Sequence, residues 1–186
     1  MNKALVAAFL FGVFVGSAQA QARSNDTVLR EIRARNASKN ITVDLNTAGG
    51  TSKIMAVAEN FDDGETGRAG IRAMNFALGV FYPGSEMTAA PDPVMLSFWV
   101  LTKQPRFAAS HSLAIISDGT AIDLGDARYA AKAREDMEYL NFNLTRAQLS
   151  QVAAGNSVRA RIGTHEFTFT AAQLKLIRDF LAVTSL

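Results

Sequence analysis

Two histidines, His111 and His165, are the only imidazoles in the chain, so acid–base or metal chemistry at neutral pH has few places to sit. A zinc site wants three or more N, S or O ligands at local spacing, and neither His-x-His nor His-x-x-x-His occurs. A serine triad would have to draw on Ser110, Ser112 or Ser117, either histidine, and Asp118 or Asp123. Triads are defined by geometry and not by order, so spacing alone leaves this open, although no Gly-x-Ser-x-Gly elbow supports it. The acidic groups Asp62-Asp63-Gly64-Glu65 and Asp118, Asp123, Asp126 raise calcium or a paired-carboxylate glycosidase. Neither group has the alternating oxygens and closing glutamate of an EF-hand loop. A glycosidase pair needs a fixed carboxyl separation that sequence does not supply. Asp118 before Gly119 reads as a turn residue, and the first group as a solvated loop. These patterns imply no catalytic residue, no metal and no cofactor. Trp99 could stack on a sugar or peptide, but its place inside VMLSFWVL predicts a core position.

The elements that must carry these residues follow from hydrophobic period. In RAMNFALGVFY, Met74, Phe76, Leu78, Val80 and Tyr82 fall on one side at period two, which predicts a half-buried strand. Pro83-Gly84 ends it, and the proline-bearing connector GSEMTAAPDP follows. VMLSFWVL, residues 94–101, is apolar at every parity and predicts a strand covered on both faces. HSLAIIS, Asp118-Gly119 and TAIDLG predict a hairpin. ITVDL (41–45) and KIMAVA (53–58) read as strands, and FDDGETGRAG (61–70) as a loop.

One phrase recurs: NFNLTRAQL at 141–149 and EFTFTAAQL at 166–174. Each copy predicts a strand, with Phe142 and Leu144 or Phe167 and Phe169 inward, running into a helix. Thr145 with Gln148, and Thr170 with Gln173, have the capping-box spacing at the helix starts. Gly155 is placed to end the first helix in a left-handed conformation. The second helix carries Leu174, Leu176, Ile177, Phe180 and Leu181 as an apolar face. Between the copies, SVRARI alternates with Val158, Ala160 and Ile162 inward. The repeat therefore reads as architecture, with four capping residues and no nucleophile, ligand set or phosphate cradle.

At the N-terminus, Lys3, an uncharged stretch from Ala4 to Gly16 and Ala18-Gln19-Ala20 read as a cleaved signal peptide over residues 1–20. As a helix that stretch rises about 20 Å, too short for a hydrocarbon core of roughly 30 Å. With no cysteine in the chain, a lipid-anchored form and disulfides are both excluded. Roughly 166 mature residues can bury about 70% of their unfolded surface. The formal charge of +2 falls by one without Lys3, and gives no basic stripe for nucleic acid. The one basic cluster, Arg23, Arg30, Arg33, Arg35 and Lys39, is diluted by Asp26 and Glu31 and reads as a solvated face. Residues 21–40 predict a short helix on Val28, Leu29 and Ile32, capped by Asp26 or Thr27. Asn-x-Ser/Thr triplets at Asn25, Asn36, Asn40 and Asn143 read as coincidence after a bacterial-type leader.

The order Pro93, Leu96-Ser97-Phe98, Asp118-Gly119 with Ile122 and Leu124, RARIG, EFTFT and LKLIRDFL resembles a loose set of exported bacterial β-rich proteins without an agreed function. The resemblance spans about Met74 to Leu181, implies a sandwich-like β domain with C-terminal helices, and implies no activity.

The expectation is a mainly β, α+β chain. Residues 41–186 would form one antiparallel β-sandwich domain of about seven to nine strands, with two short helices near the C-terminus. Its expected role is a soluble, periplasmic or secreted, non-catalytic binding or accessory module. Its partner would be another envelope protein or a small ligand, and no transmembrane segment would remain after cleavage. Two alternatives stand beside it: a secreted hydrolase on the same scaffold, and an assembly subunit that uses strand addition at ITVDL or KIMAVA.

Overall fold

The computed structural model describes residues 22–34, 40–44, 50–132 and 136–185, with the backbone alone for 32–34. The expected leader, Leu45, and Arg35, Asn36 and Lys39 of the N-terminal readings lie outside the described residues.

The chain opens with β1 (Arg23–Ser24), α1 (Asn25–Ala34), β2 (Ile41–Asp44) and β3 (Thr51–Val57). It continues through α2 (Asp63–Arg68), β4 (Ala73–Pro83), β5 (Glu86–Met87) and β6 (Val94–Leu101). Next come β7 (Ser112–Ser117), β8 (Thr120–Asp126), β9 (Arg128–Lys132) and β10 (Met137–Leu144). The last elements are α3 (Arg146–Ala154), β11 (Val158–Ile162), β12 (His165–Thr168) and α4 (Ala171–Thr184).

Two antiparallel sheets dominate, one of six strands in the order β2-β3-β4-β6-β10-β9 and one of four in the order β12-β11-β7-β8. A two-stranded ribbon pairs β1 with β5. The fold is the expected mainly β, sandwich-like α+β class. The strands outnumber the expectation because the ribbon pair and the edge strand β9 carry almost no apolar alternation.

Period two explains the core. Met74, Phe76, Leu78 and Val80 on β4, and Val94, Phe98 and Val100 on β6, are fully buried on the inner face. Across the interior, Phe61 packs against the rings of Phe76, Phe98, Phe167 and Phe169 at centroid distances of 5.4 to 6.2 Å. Such ring pairs add roughly 0.5–1.5 kcal/mol each beyond area burial. Leu174, Leu176, Ile177, Phe180 and Val183 of α4 close the same core.

Both copies of the repeat begin their helices with a reciprocal cap. Gln148 N–H donates to Thr145 Oγ1 at 3.1 Å while Thr145 N–H donates to Gln148 Oε1 at 2.8 Å. The second box has the same pair of bonds, at 3.2 and 2.9 Å between Gln173 and Thr170. Gln173 is buried, and its amide also donates to the Glu59 carbonyl at 2.9 Å, tying α4 to the chain after β3. The two helices also cap each other. Arg178 on α4 donates to the Ala153 carbonyl at the end of α3, and Arg146 on α3 donates to the Leu181 carbonyl near the end of α4. Burial lowers the Arg146 pKa, and the charge of Asp92 partly offsets that.

Four expectations need correction. FDDGETGRAG is not all loop: Asp62 Oδ1 accepts from Gly64 and Glu65 N–H at 2.8 and 3.2 Å and starts α2. The cap of α1 comes from Ser24, whose Oγ accepts the Thr27 N–H, and not from Asp26 or Thr27. Gly155 sits at φ −67°, outside the left-handed region. A Cβ there would lie 2.3 Å from Ser117 Oγ and 2.7 Å from Val158 Cγ2, so close approach explains the glycine. Finally, the two faces of β6 differ: Val94, Leu96, Phe98 and Val100 are buried, whereas on the outer face only Ser97 is buried and Met95, Trp99 and Leu101 are part-exposed. Trp99 pairs with Asn75 and Tyr139, lies on the outer face, and is half-buried. Its indole N–H donates to Ser97 Oγ at 3.0 Å, which lays the ring along the strand.

Candidate functional site

The residues singled out for chemistry are distributed among separate structural tasks. Asp118 holds φ +47° in the two-residue turn between β7 and β8, beside Gly119 at +86°. Its carboxylate accepts from the backbone of Asn156 and Ser157, at 3.1 and 2.9 Å, and so ties that turn to the exit of α3. Asp123 Oδ1 accepts the Gly125 N–H at 3.0 Å. Asp126 is opposite Ser112 in the ladder, and both are exposed. Asp62 is the α2 cap, and Glu65 accepts from Thr168 N–H and Oγ1, each at 2.8 Å. Among the described residues no three His, Asp or Glu side chains gather as a metal site.

The two histidines meet at one residue. The segment between β6 and β7 buries Phe107, and the His165 ring stands edge-on to it with centroids 5.9 Å apart. His111 Nδ1 lies 3.1 Å from the Phe107 carbonyl, and its ring stacks on Tyr129 at 5.4 Å. Tyr129 donates its hydroxyl to Glu138 Oε1 at 2.9 Å. The same carboxylate accepts Phe107 N–H at 3.0 Å on Oε1 and Arg106 N–H at 2.8 Å on Oε2. Burial pushes the Tyr129 pKa up to about 12, helped by its bond to Glu138 and by that carboxylate's charge. Glu138 is 1% exposed and already accepts three donors, so it has no free edge for a substrate. The cluster anchors a loop. Among the described residues no hydrogen bond joins either imidazole to a serine or a carboxylate, so the triad geometry is not assembled.

The open surface lies elsewhere, on the outer face of the six-stranded sheet near the end of β4. A groove of about 490 Å³ is lined by Phe81, Pro83, Glu86, the connector Thr88–Pro93, Met95 and Asn143. Phe81 is the one large apolar side chain exposed among the described residues, at 48%. Two residues back on the same strand face, Gly79 is buried beneath the side chains beside Phe81. A Cβ there would lie 3.2 Å from Met95 Cε, 3.5 Å from Phe81 Cε2 and 3.6 Å from Met55 Sδ. Two thioethers and a phenyl thus close over a glycine, giving an apolar surface that can repack around what it meets.

Sequence reading missed this groove because its wall and floor come from β4, the connector, β6 and β10. The available signal was Phe81, the one bulky side chain at a parity otherwise held by Asn75, Ala77 and Gly79. For strand addition, KIMAVA is β3, paired on both sides, whereas ITVD is β2 at a sheet edge. A second groove, of about 420 Å³ beside His165, is lined by charged residues already engaged in part, with Arg159 paired to Glu166 at 2.8 Å. Comparison with known family models, with curated proteins and with solved structures finds no match to this chain.

Proposed function

We propose that the chain is an exported envelope protein that holds a partner or ligand in the groove beside Phe81 and performs no chemistry of its own. The observation that carries this reading is the exposed Phe81 ring, in a groove large enough for one or two side chains. Leaving a phenyl ring in water is unfavourable, and with Met95, Pro83, Pro91 and Pro93 along the same groove it offers apolar contact to an incoming group. Export is supported by Lys3, the apolar stretch and Ala18-Gln19-Ala20, and among the described residues no helix is long and apolar enough to cross a membrane. A hydrolase has less support, because Asp62, Glu65, Asp118 and Asp123 are committed to a cap, turns and a loop contact, and among the described residues neither imidazole is hydrogen-bonded to a serine or a carboxylate.

Two measurements test the reading. Sequencing the N-terminus of protein recovered from the envelope should begin at Gln21, and recovery only with Met1 retained would remove the export step. The neutral fluorophore N-phenyl-1-naphthylamine should bind saturably to the chain from Gln21. Phe81→Ser should weaken that binding at least fivefold while His165→Ala leaves it unchanged. Equal binding by Phe81→Ser would reject the groove as the site.

A further inference from the structure

Resting on that reading, we infer that the occupant is a short extended peptide segment carrying apolar side chains and a lysine or arginine. Charge complementarity selects the cation. The ionisable side chains that carry charge at the groove are Glu86 and Asp92, both acidic, and no basic residue lines it. Asp92 is partly compensated, since its Oδ1 accepts the Arg146 N–H at 3.2 Å and it lies close to the Arg146 charge. Glu86 is exposed and its carboxylate has no hydrogen bond or ion pair among the described residues, so its field falls on whatever enters. A partner with an anion at this point would be repelled, and one with a cation attracted.

The groove wall selects a peptide. Ala89 and Ala90 line it, and among the described residues no backbone–backbone hydrogen bond ties their N–H and C=O groups. Main-chain groups left open along a groove wall are what a peptide backbone satisfies. Below them, Phe81, Met95 and the rings of Pro83, Pro91 and Pro93 offer apolar contact for its side chains.

The test compares three acetylated, amidated peptides, Leu-Phe-Lys-Leu, Leu-Phe-Gln-Leu and Leu-Phe-Glu-Leu, titrated calorimetrically into the chain from Gln21. The lysine peptide should bind tightest and the glutamate peptide weakest, with about threefold to fivefold between neighbours, as an exposed ion pair allows. Glu86→Gln should collapse that spread to less than twofold, and so should 1 M salt, where screening acts within about 3 Å. Phe81→Ser should weaken all three. Equal affinities, or an order reversed in favour of glutamate, would overturn the cation while leaving a binding groove in place. n-Octylamine binding as tightly as the lysine peptide would overturn the peptide. Saturable binding by none of the probes would overturn this inference and, if N-phenyl-1-naphthylamine also fails, the groove itself.

Discussion

Replacing Glu138 by glutamine changes one oxygen to an amide nitrogen in a site closed to water. In the native chain its carboxylate accepts from Arg106 N–H, Phe107 N–H and the Tyr129 hydroxyl at 2.8, 3.0 and 2.9 Å. The best glutamine orientation keeps its oxygen toward Phe107 and Tyr129 and turns its NH2 against the Arg106 N–H, donor facing donor. Two charge-assisted bonds become neutral ones, at a loss of about 1 kcal/mol each, and one part-buried N–H is left without an acceptor, costing about 1–2 kcal/mol. Burying a neutral amide is easier than burying an anion and offsets part of that. The net expectation is a loss of about 2–4 kcal/mol. Urea unfolding reads it directly, as a lower midpoint at unchanged slope. Amide exchange at Arg106 and Phe107 should accelerate more than at β4 or β6, because the loop opens before the sheet. A variant within 0.5 kcal/mol of the wild type, or with those two amides equally protected, would refute the reading of Glu138 as the loop's anchor.

Thr145→Ala and Thr170→Ala should each cost about 1 kcal/mol in urea unfolding. Gln173→Ala should cost more than Gln148→Ala, because Gln173 is buried and also holds the Glu59 carbonyl. Gly155→Ala should cost about 1–3 kcal/mol through overpacking. Ser117→Ala in the same chain should recover part of that loss, since Ser117 Oγ is the nearest atom to the added methyl. The Tyr129 pKa is raised in the folded chain to about 12 from the ordinary 10.0, so its neutral form is the one favoured by folding. That stabilisation is complete below pH 10 and is lost as pH rises toward 12, which phenolate absorbance in the wild type and in Tyr129→Phe should show.

The parts of this fold legible in the sequence are those where a local rule and the tertiary context agree. Met74 to Tyr82 alternate because one face of β4 meets the core, and Thr-x-x-Gln marks both helix starts because the cap is made within four residues. What stayed hidden depends on pairing. In VMLSFWVL both parities are apolar, and only the register that puts Trp99 beside Asn75 shows which residues face outward. The six residues of α2 contain two glycines, and the helix holds because of the Asp62 cap and the anchoring of Glu65 to Thr168 more than a hundred positions away. Gly155 read as a conformational glycine because sequence cannot show Ser117 lying against it. The histidines suggested chemistry, but a single buried phenylalanine gathers them, with the neighbouring hydroxyl and carboxylate consumed by the loop.

The most direct test of the binding account is the ¹H–¹⁵N correlation spectrum of the chain from Gln21, titrated with Leu-Phe-Lys-Leu. The account predicts shifts confined to Phe81, Glu86, Thr88 to Ala90, Asp92, Met95 and Asn143. Shifts centred instead on Phe107, His111, Tyr129 and His165 would contradict it, and would move the site to the histidine loop.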